Sequence, residues 1–246
     1  MAGAPRLALV TRPEPQASES VTALAGLGVA ALACPLTEIV PASPQPALPE
    51  GTEALAFTSA NAVRAVAAAP WFAGALGLRA YCVGSRTAAV ARAAGFERVD
   101  SAAGDAAALA TALRHAPERH IFHPHGREVT GDLAAALAGS GRLLTGAVAY
   151  AAEARRRLPD PALEALEARR IGVLGLWSRR NAVLFAGFAA RNRGWELGRI
   201  RAVAISPAAA EPLGPLGLGT IAVASAPDGA AMHATIARLS AESDAI

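Results

Sequence analysis

Along the whole chain, short apolar or β-branched runs take turns with stretches whose apolar residues recur at helical spacing. Residues 7–11, 54–58, 80–83, 120–124, 171–176, 201–205 and 220–224 read as strands. Residues 18–27, 61–69, 87–94, 106–115, 132–137 and 182–192 read as amphipathic helices. That order is the signature of parallel sheets covered by crossover helices, so the fold class is α/β.

A weak internal echo points to two similar domains. Phe57-Thr-Ser-Ala-Asn-Ala-Val63 resembles Trp177-Ser-Arg-Arg-Asn-Ala-Val183, and Val83-Gly-Ser-Arg-Thr-Ala-Ala89 faintly resembles Ile205-Ser-Pro-Ala-Ala-Ala-Glu211. In both copies a strand runs into a Ser or Thr and then a helix, which gathers hydroxyls and free amides at the carboxyl edge of a sheet, where α/β folds bind ligands. For any one of these turns taken alone, ordinary helix N-capping is the simpler account. The Pro- and Ala-rich residues 41–49 and the charged residues 153–161 read as connectors beside two extended pieces, 35–40 and 147–150. Paired as a two-stranded ribbon of residues 36–39 and 148–152, those pieces divide the chain. One discontinuous domain takes residues 1–35 and 153–246, and an inserted one takes residues 40–147.

Composition narrows the chemistry. Aromatics are only 4% of the 246 residues, which leaves little for stacking on bases, so nucleic-acid binding is not expected. The 23 cationic side chains are all arginine. The absence of lysine excludes a Walker A loop, a Schiff-base lysine and a kinase-type phosphate lysine. Arginine suits carboxylates because its planar fork holds both oxygens, although a genome-wide preference for arginine codons explains the bias as well. Cys34 and Cys82 fall far apart in strand-like segments and read as reduced core residues. The apolar run 7–10 is too short for a signal peptide, and residues 20–37 are broken by Gly26, Gly28 and Pro35. A soluble, cytoplasmic protein with no membrane partner is expected.

Several landmarks, taken in order, resemble the uroporphyrinogen-III synthase family: Leu9-Val-Thr-Arg-Pro-Glu14, Cys34-Pro-Leu-Thr-Glu-Ile39, Ala56-Phe-Thr-Ser-Ala-Asn-Ala-Val63, Val83-Gly-Ser-Arg-Thr-Ala88, Ala149-Tyr150 and Trp177-Ser178. The similarity runs from residue 6 to about 225. It implies two flavodoxin-like parallel-sheet domains joined by the ribbon, with an active-site cleft between them and no metal, flavin or nucleotide cofactor. It also implies cyclisation of hydroxymethylbilane, an octacarboxylate linear tetrapyrrole, to uroporphyrinogen III. Ring D is inverted through a spiro intermediate and water is lost. A monomer is implied, with transient contact to hydroxymethylbilane synthase as a further option. The alternative is a non-catalytic relative that binds a tetrapyrrole or another anion. Two stretches depart from the family pattern. Ile205-Ser-Pro-Ala-Ala209 lacks the usual glycine and threonine, and His123-Pro-His-Gly-Arg127 lacks a second arginine, Thr130 and Gly131 standing in that region.

The resemblance and the strand-to-helix turns together single out the substrate-binding candidates: Arg12, Thr58, Ser59, Ala60, Asn61, Gly84, Ser85, Arg86, Thr87, Gly126, Arg127, Ser178 and Ser206. Ser59 either holds a substrate carboxylate with the amides that follow it or caps a helix. At Gly84 to Thr87 the glycine admits close backbone approach, with Arg86 as a clamp. Tyr150 matches the family tyrosine at the crossover and is implied as the proton donor; its other role is a half-buried ribbon aromatic. His123 and His125 share one strand face but lack a third metal ligand nearby, so they read as polar lining. Gly26-Leu-Gly28 and Gly217-Leu-Gly219 imitate part of a dinucleotide fingerprint but precede strands, so they are turns. Arg155, Arg156 and Arg157 read as solvated linker charge.

Overall fold

The computed structural model describes residues 6–102, 104–128 and 132–243; Thr130 and Gly131, where the family arginine is missing, and residues 1–5 of the opening segment lie outside them. The strands are β1 (Leu7–Val10), β2 (Ala31–Ala33), β3 (Thr37–Pro41), β4 (Ala54–Phe57), β5 (Arg79–Cys82), β6 (Arg98–Ser101), β7 (His120–Gly126), β8 (Leu143–Ala154), β9 (Ile171–Leu176), β10 (Arg201–Ala204) and β11 (Thr220–Val223). The helices are α1 (Gln16–Ala25), α2 (Ala60–Val66), α3 (Phe72–Ala75), α4 (Ser85–Ala93), α5 (Ala106–Arg114), α6 (Leu133–Leu137), α7 (Asp160–Glu167), α8 (Arg179–Arg191), α9 (Pro207–Ala210) and α10 (Gly229–Ser243). The chain divides into two compact units, residues 1–38 with 154–246 and residues 39–153.

The first unit holds a five-stranded sheet in the order β2-β1-β9-β10-β11, with each strand parallel to its neighbours. Numbered within the unit this is 2-1-3-4-5, the flavodoxin order. Side chains along β1 alternate between two cores. Leu9 packs with Leu174, Leu176 and Phe185 on one face, and Ala8 and Val10 pack with Val173, Val203 and Met232 on the other. β9 is buried throughout, as a central strand covered on both faces must be.

The second unit is built from the order β6-β5-β4-β7-β8, with β3 paired outside β8. Its five parallel strands, numbered within the unit, run 3-2-1-4-5, the other common doubly wound order. Here too the pleat feeds two cores: Leu55 and Phe57 join Val63, Phe72 and Phe96, while Ala54 and Ala56 join Leu109, Leu113 and Leu133. Full burial of each large aliphatic or aromatic side chain contributes about 1.5–3 kcal/mol.

β8 serves in two ladders. Its first part lies parallel to β7, and its later part pairs with β3. Ala42 N–H donates to Ala149 O at 2.8 Å and Arg155 N–H donates to Leu36 O at 3.0 Å, which fixes that second pairing as antiparallel. Residues 148–152 thus lie inside a single 12-residue strand.

Candidate active site

In each unit the strand order reverses at one gap, between β1 and β9 in the first and between β4 and β7 in the second. Doubly wound sheets bind ligands outside the carboxyl ends of the strands at such a gap.

At the second unit's gap, Thr58 follows β4, and its Oγ1 lies 3.2 Å from Nε2 of His123 on β7. His123 is buried, and that burial, followed by the neighbouring His125, lowers its pKa to about 4. Ser59 caps α2 by accepting from the Asn61 amide at 3.1 Å, and Asn61 in turn accepts from Arg64 at 3.3 Å. Beside them α4 begins at Gly84, which has no side chain with which to cap its first turn. Ser85 and Arg86 are exposed there, whereas Thr87 and Ala60 are buried, so those two take part in packing and offer at most backbone amides.

The end of β7 meets Tyr150 of β8. Arg127 N–H donates to Tyr150 O at 2.8 Å, and the Tyr150 ring packs against the core that contains Phe57 and Phe122. Among the described residues no hydrogen bond engages its hydroxyl. Tyr81, the other tyrosine, contrasts with it: its hydroxyl donates to Glu118 Oε2 at 2.8 Å, and burial raises the phenol's pKa. The Arg127 guanidinium is exposed, 3.9 Å from Glu153, a pair worth little in water.

At the first unit's gap the groups bond to one another. Thr11 Oγ1 donates to Gly175 O at 2.8 Å, and Asn181 Nδ2 donates to Thr11 O at 2.8 Å, tying β1, β9 and α8 together. Ser178 caps α8 by accepting from Asn181 N at 3.1 Å, and Ser206 caps α9 by accepting from Ala209 N at 3.3 Å. Arg12 donates to Ser20 Oγ at 3.3 Å and lies over the Trp177 ring, 5.7 Å from its centroid. Trp177 also approaches His233 of α10, with ring centroids 6.1 Å apart; burial, followed by Arg12, lowers the pKa of His233.

The structure therefore brings Thr58, Ser59 and Asn61 together at one gap and Arg12 and Ser178 at the other, with Gly84 to Arg86 and Ser206 at the neighbouring helix starts. Sequence reasoning missed Thr11, Asn181, His123's bond to Thr58 and the Trp177–His233 contact. Thr11 belongs to the first landmark motif, but its partner lies 164 residues away. His125 Nδ1–H donates to Gly126 O at 2.8 Å, and among the described residues no group of three or more His, Cys, Asp or Glu side chains suits a metal. Of the arginine run, Arg155 lies 3.6 Å from Glu38 and Arg157 pairs with Asp160. Cys34 and Cys82 are buried free thiols, each pushed by burial to a pKa of about 12.

A family profile described as uroporphyrinogen-III synthase HemD matches residues 18–234. The solved structure of uroporphyrinogen-III synthetase from Helicobacter pylori 26695 is 19% identical, covering 96% of this chain and 100% of its own, with a TM-score of 0.63. The wild-type uroporphyrinogen III synthase of Thermus thermophilus is 18% identical, covering 97% of this chain and 99% of its own, with a TM-score of 0.40. No curated protein gives a significant match.

Proposed function

The chain belongs to the uroporphyrinogen-III synthase family, and on that premise we propose how it makes uroporphyrinogen III. The substrate is hydroxymethylbilane and the enzyme acts as a hydro-lyase. Tyr150 gives its proton to the terminal hydroxyl, which leaves as water while the pyrrole nitrogen lone pair forms the azafulvene. The substituted α-carbon of ring D attacks the exocyclic methylene, and the new carbon–carbon bond creates the spiro intermediate. The older bond from that carbon to the ring C methylene bridge then breaks, leaving an azafulvene on ring C, and the freed bridge carbon bonds to the other, unsubstituted α-carbon of ring D. A proton leaves that carbon and the ring regains aromaticity. One proton enters, one leaves, and one water is released.

The leaving group is already activated by its own pyrrole, so positioning of the terminal rings is the larger catalytic task. Helix-start amides, hydroxyls and arginines at the two sheet edges are the groups suited to hold carboxylates. Ser59 to Asn61, Gly84 to Arg86 and Arg127 serve this role from the second unit, and Arg12, Ser178 and Ser206 from the first. Among the described residues no helix is long and apolar enough to cross a membrane, and we place the reaction in the cytoplasm with a monomeric enzyme.

The observation that carries this reading is Tyr150 itself. Its ring packs against the core and its hydroxyl makes no hydrogen bond to a described residue, which supports reading the phenol as able to donate to a substrate. Freshly made hydroxymethylbilane mixed with the protein should yield the inverted ring isomer. In Tyr150→Phe, turnover should drop ~10-fold or more with folding, product affinity and isomer ratio held, because only a transition-state interaction is removed. Wild-type turnover in that variant would reduce Tyr150 to packing.

A further inference from the structure

We propose that Gly126 is a positioning residue for Tyr150: a bulge and a missing side chain at this point set where the phenol hydroxyl sits. The inference rests on the reading of Tyr150 as the proton donor, but it makes a separate claim about geometry. β7 and β8 run in regular register from His120 opposite Leu143 to His125 opposite Val148, and the next pair is Gly126 opposite Tyr150. β8 thus carries one extra residue, Ala149, whose side chain is fully buried. A bulge of this kind bends its strand and re-aims the side chain that follows.

The re-aimed ring fills the space where a side chain at 126 would be. A Cβ built on Gly126 would lie 2.9 Å from Tyr150 Cζ, 3.0 Å from its hydroxyl oxygen and 3.1 Å from Cε2. Carbon atoms in comfortable contact sit about 3.5–4.0 Å apart, so the polar end of the ring has to move if any side chain is added. Gly126 is not among the glycines with positive φ, so this position calls for a glycine through space and not through backbone conformation. The local backbone is pinned on both sides. His125 Nδ1–H holds Gly126 O at 2.8 Å, and Arg127 N–H holds Tyr150 O at 2.8 Å, so the displaced partner is the ring.

Gly126→Ala tests this directly. The chain has two tyrosines, so ¹³C-tyrosine labelling gives two sets of ring signals, assigned with Tyr150→Phe. Gly126→Ala should shift the Tyr150 signals and leave those of Tyr81 in place. kcat should fall ~10-fold with KM within about twofold, and adding Gly126→Ala to Tyr150→Phe should cost less than about twofold more. Unmoved Tyr150 signals, or losses that multiply in the double variant, overturn the proposal. Undiminished turnover in Tyr150→Phe would instead remove the acid role, while a shifted signal in Gly126→Ala would still uphold the geometric claim. If Gly126→Ala fails to fold, the same substitution in a Tyr150→Ala background should restore folding, since the obstructing ring is gone; continued unfolding there counts against it.

Discussion

The two sheet edges are built alike and finished differently. At the first unit's gap, Thr11, Gly175, Asn181 and Ser178 bond to one another, and Arg12 is engaged with Ser20 and Trp177. At the second unit's gap Ser59 caps α2 and the joint between β4 and β7 runs through an imidazole, while beside it α4 starts at a glycine without a side-chain cap and the hydroxyl of Tyr150 bonds to no described residue. An edge whose side chains bond one another is a brace, and a helix start without a side-chain cap can turn its amides toward a carboxylate. The second unit is therefore expected to supply more of the ligand contacts, and to be the more sensitive to acid.

The largest effect expected concerns acid. Burial holds the pKa of His123 at about 4, below the ordinary value of 6.5 that it regains on unfolding. The unfolded state thus binds the proton more readily, and the contribution to stability is present above pH 6.5 and lost as pH falls toward 4. The shift corresponds to ~3 kcal/mol, or roughly a hundredfold in hydrogen-exchange protection of the β7 amides. His123→Leu should flatten that dependence. β9 should show the smaller slope that His233 supplies, and equal slopes in the two units would erase the contrast.

A smaller effect separates capped from uncapped helix starts. Gly84→Asp places a carboxylate at the first turn of α4, where it competes for the amides and repels substrate carboxylates, so affinity for uroporphyrinogen III should weaken about tenfold. The counterpart in the first unit is smaller still. Ser178→Ala should cost ~1 kcal/mol of stability through the lost α8 cap and weaken product affinity less than Gly84→Asp does. A large binding loss in Ser178→Ala, with none in Gly84→Asp, would reverse the assignment of brace and binder, as titration calorimetry would reveal.

The α/β class was legible because the central strands β1, β4 and β9 are covered on both faces and so read as continuous apolar runs. The edge strands β2 and β6 were not, although the edge strand β11 was read at residues 220–224. β2 is only Ala31–Ala33, and β6 is Arg98–Ser101, whose polar residues lack the apolar signature. α7 was not read: its first two residues fall at the end of the charged connector 153–161, and Pro161 near its start resembles a break when seen without its context. At the site, the Ser caps could be read locally because a cap and its amide lie two or three residues apart. Thr58 with His123, and Gly126 with Tyr150, are pairings set by strand order, which periodicity does not encode.

The pairing of β3 with β8 also bears on how such a chain is assembled. The segment entering the second unit and the segment leaving it run side by side, so everything between Ile39 and Glu153 is topologically a plug-in whose two ends meet at one point. A gene encoding the first unit could acquire or exchange that insert by a single splice. The five strands of the host sheet would keep their order, and a short turn from Glu38 to Ala154 would close the gap.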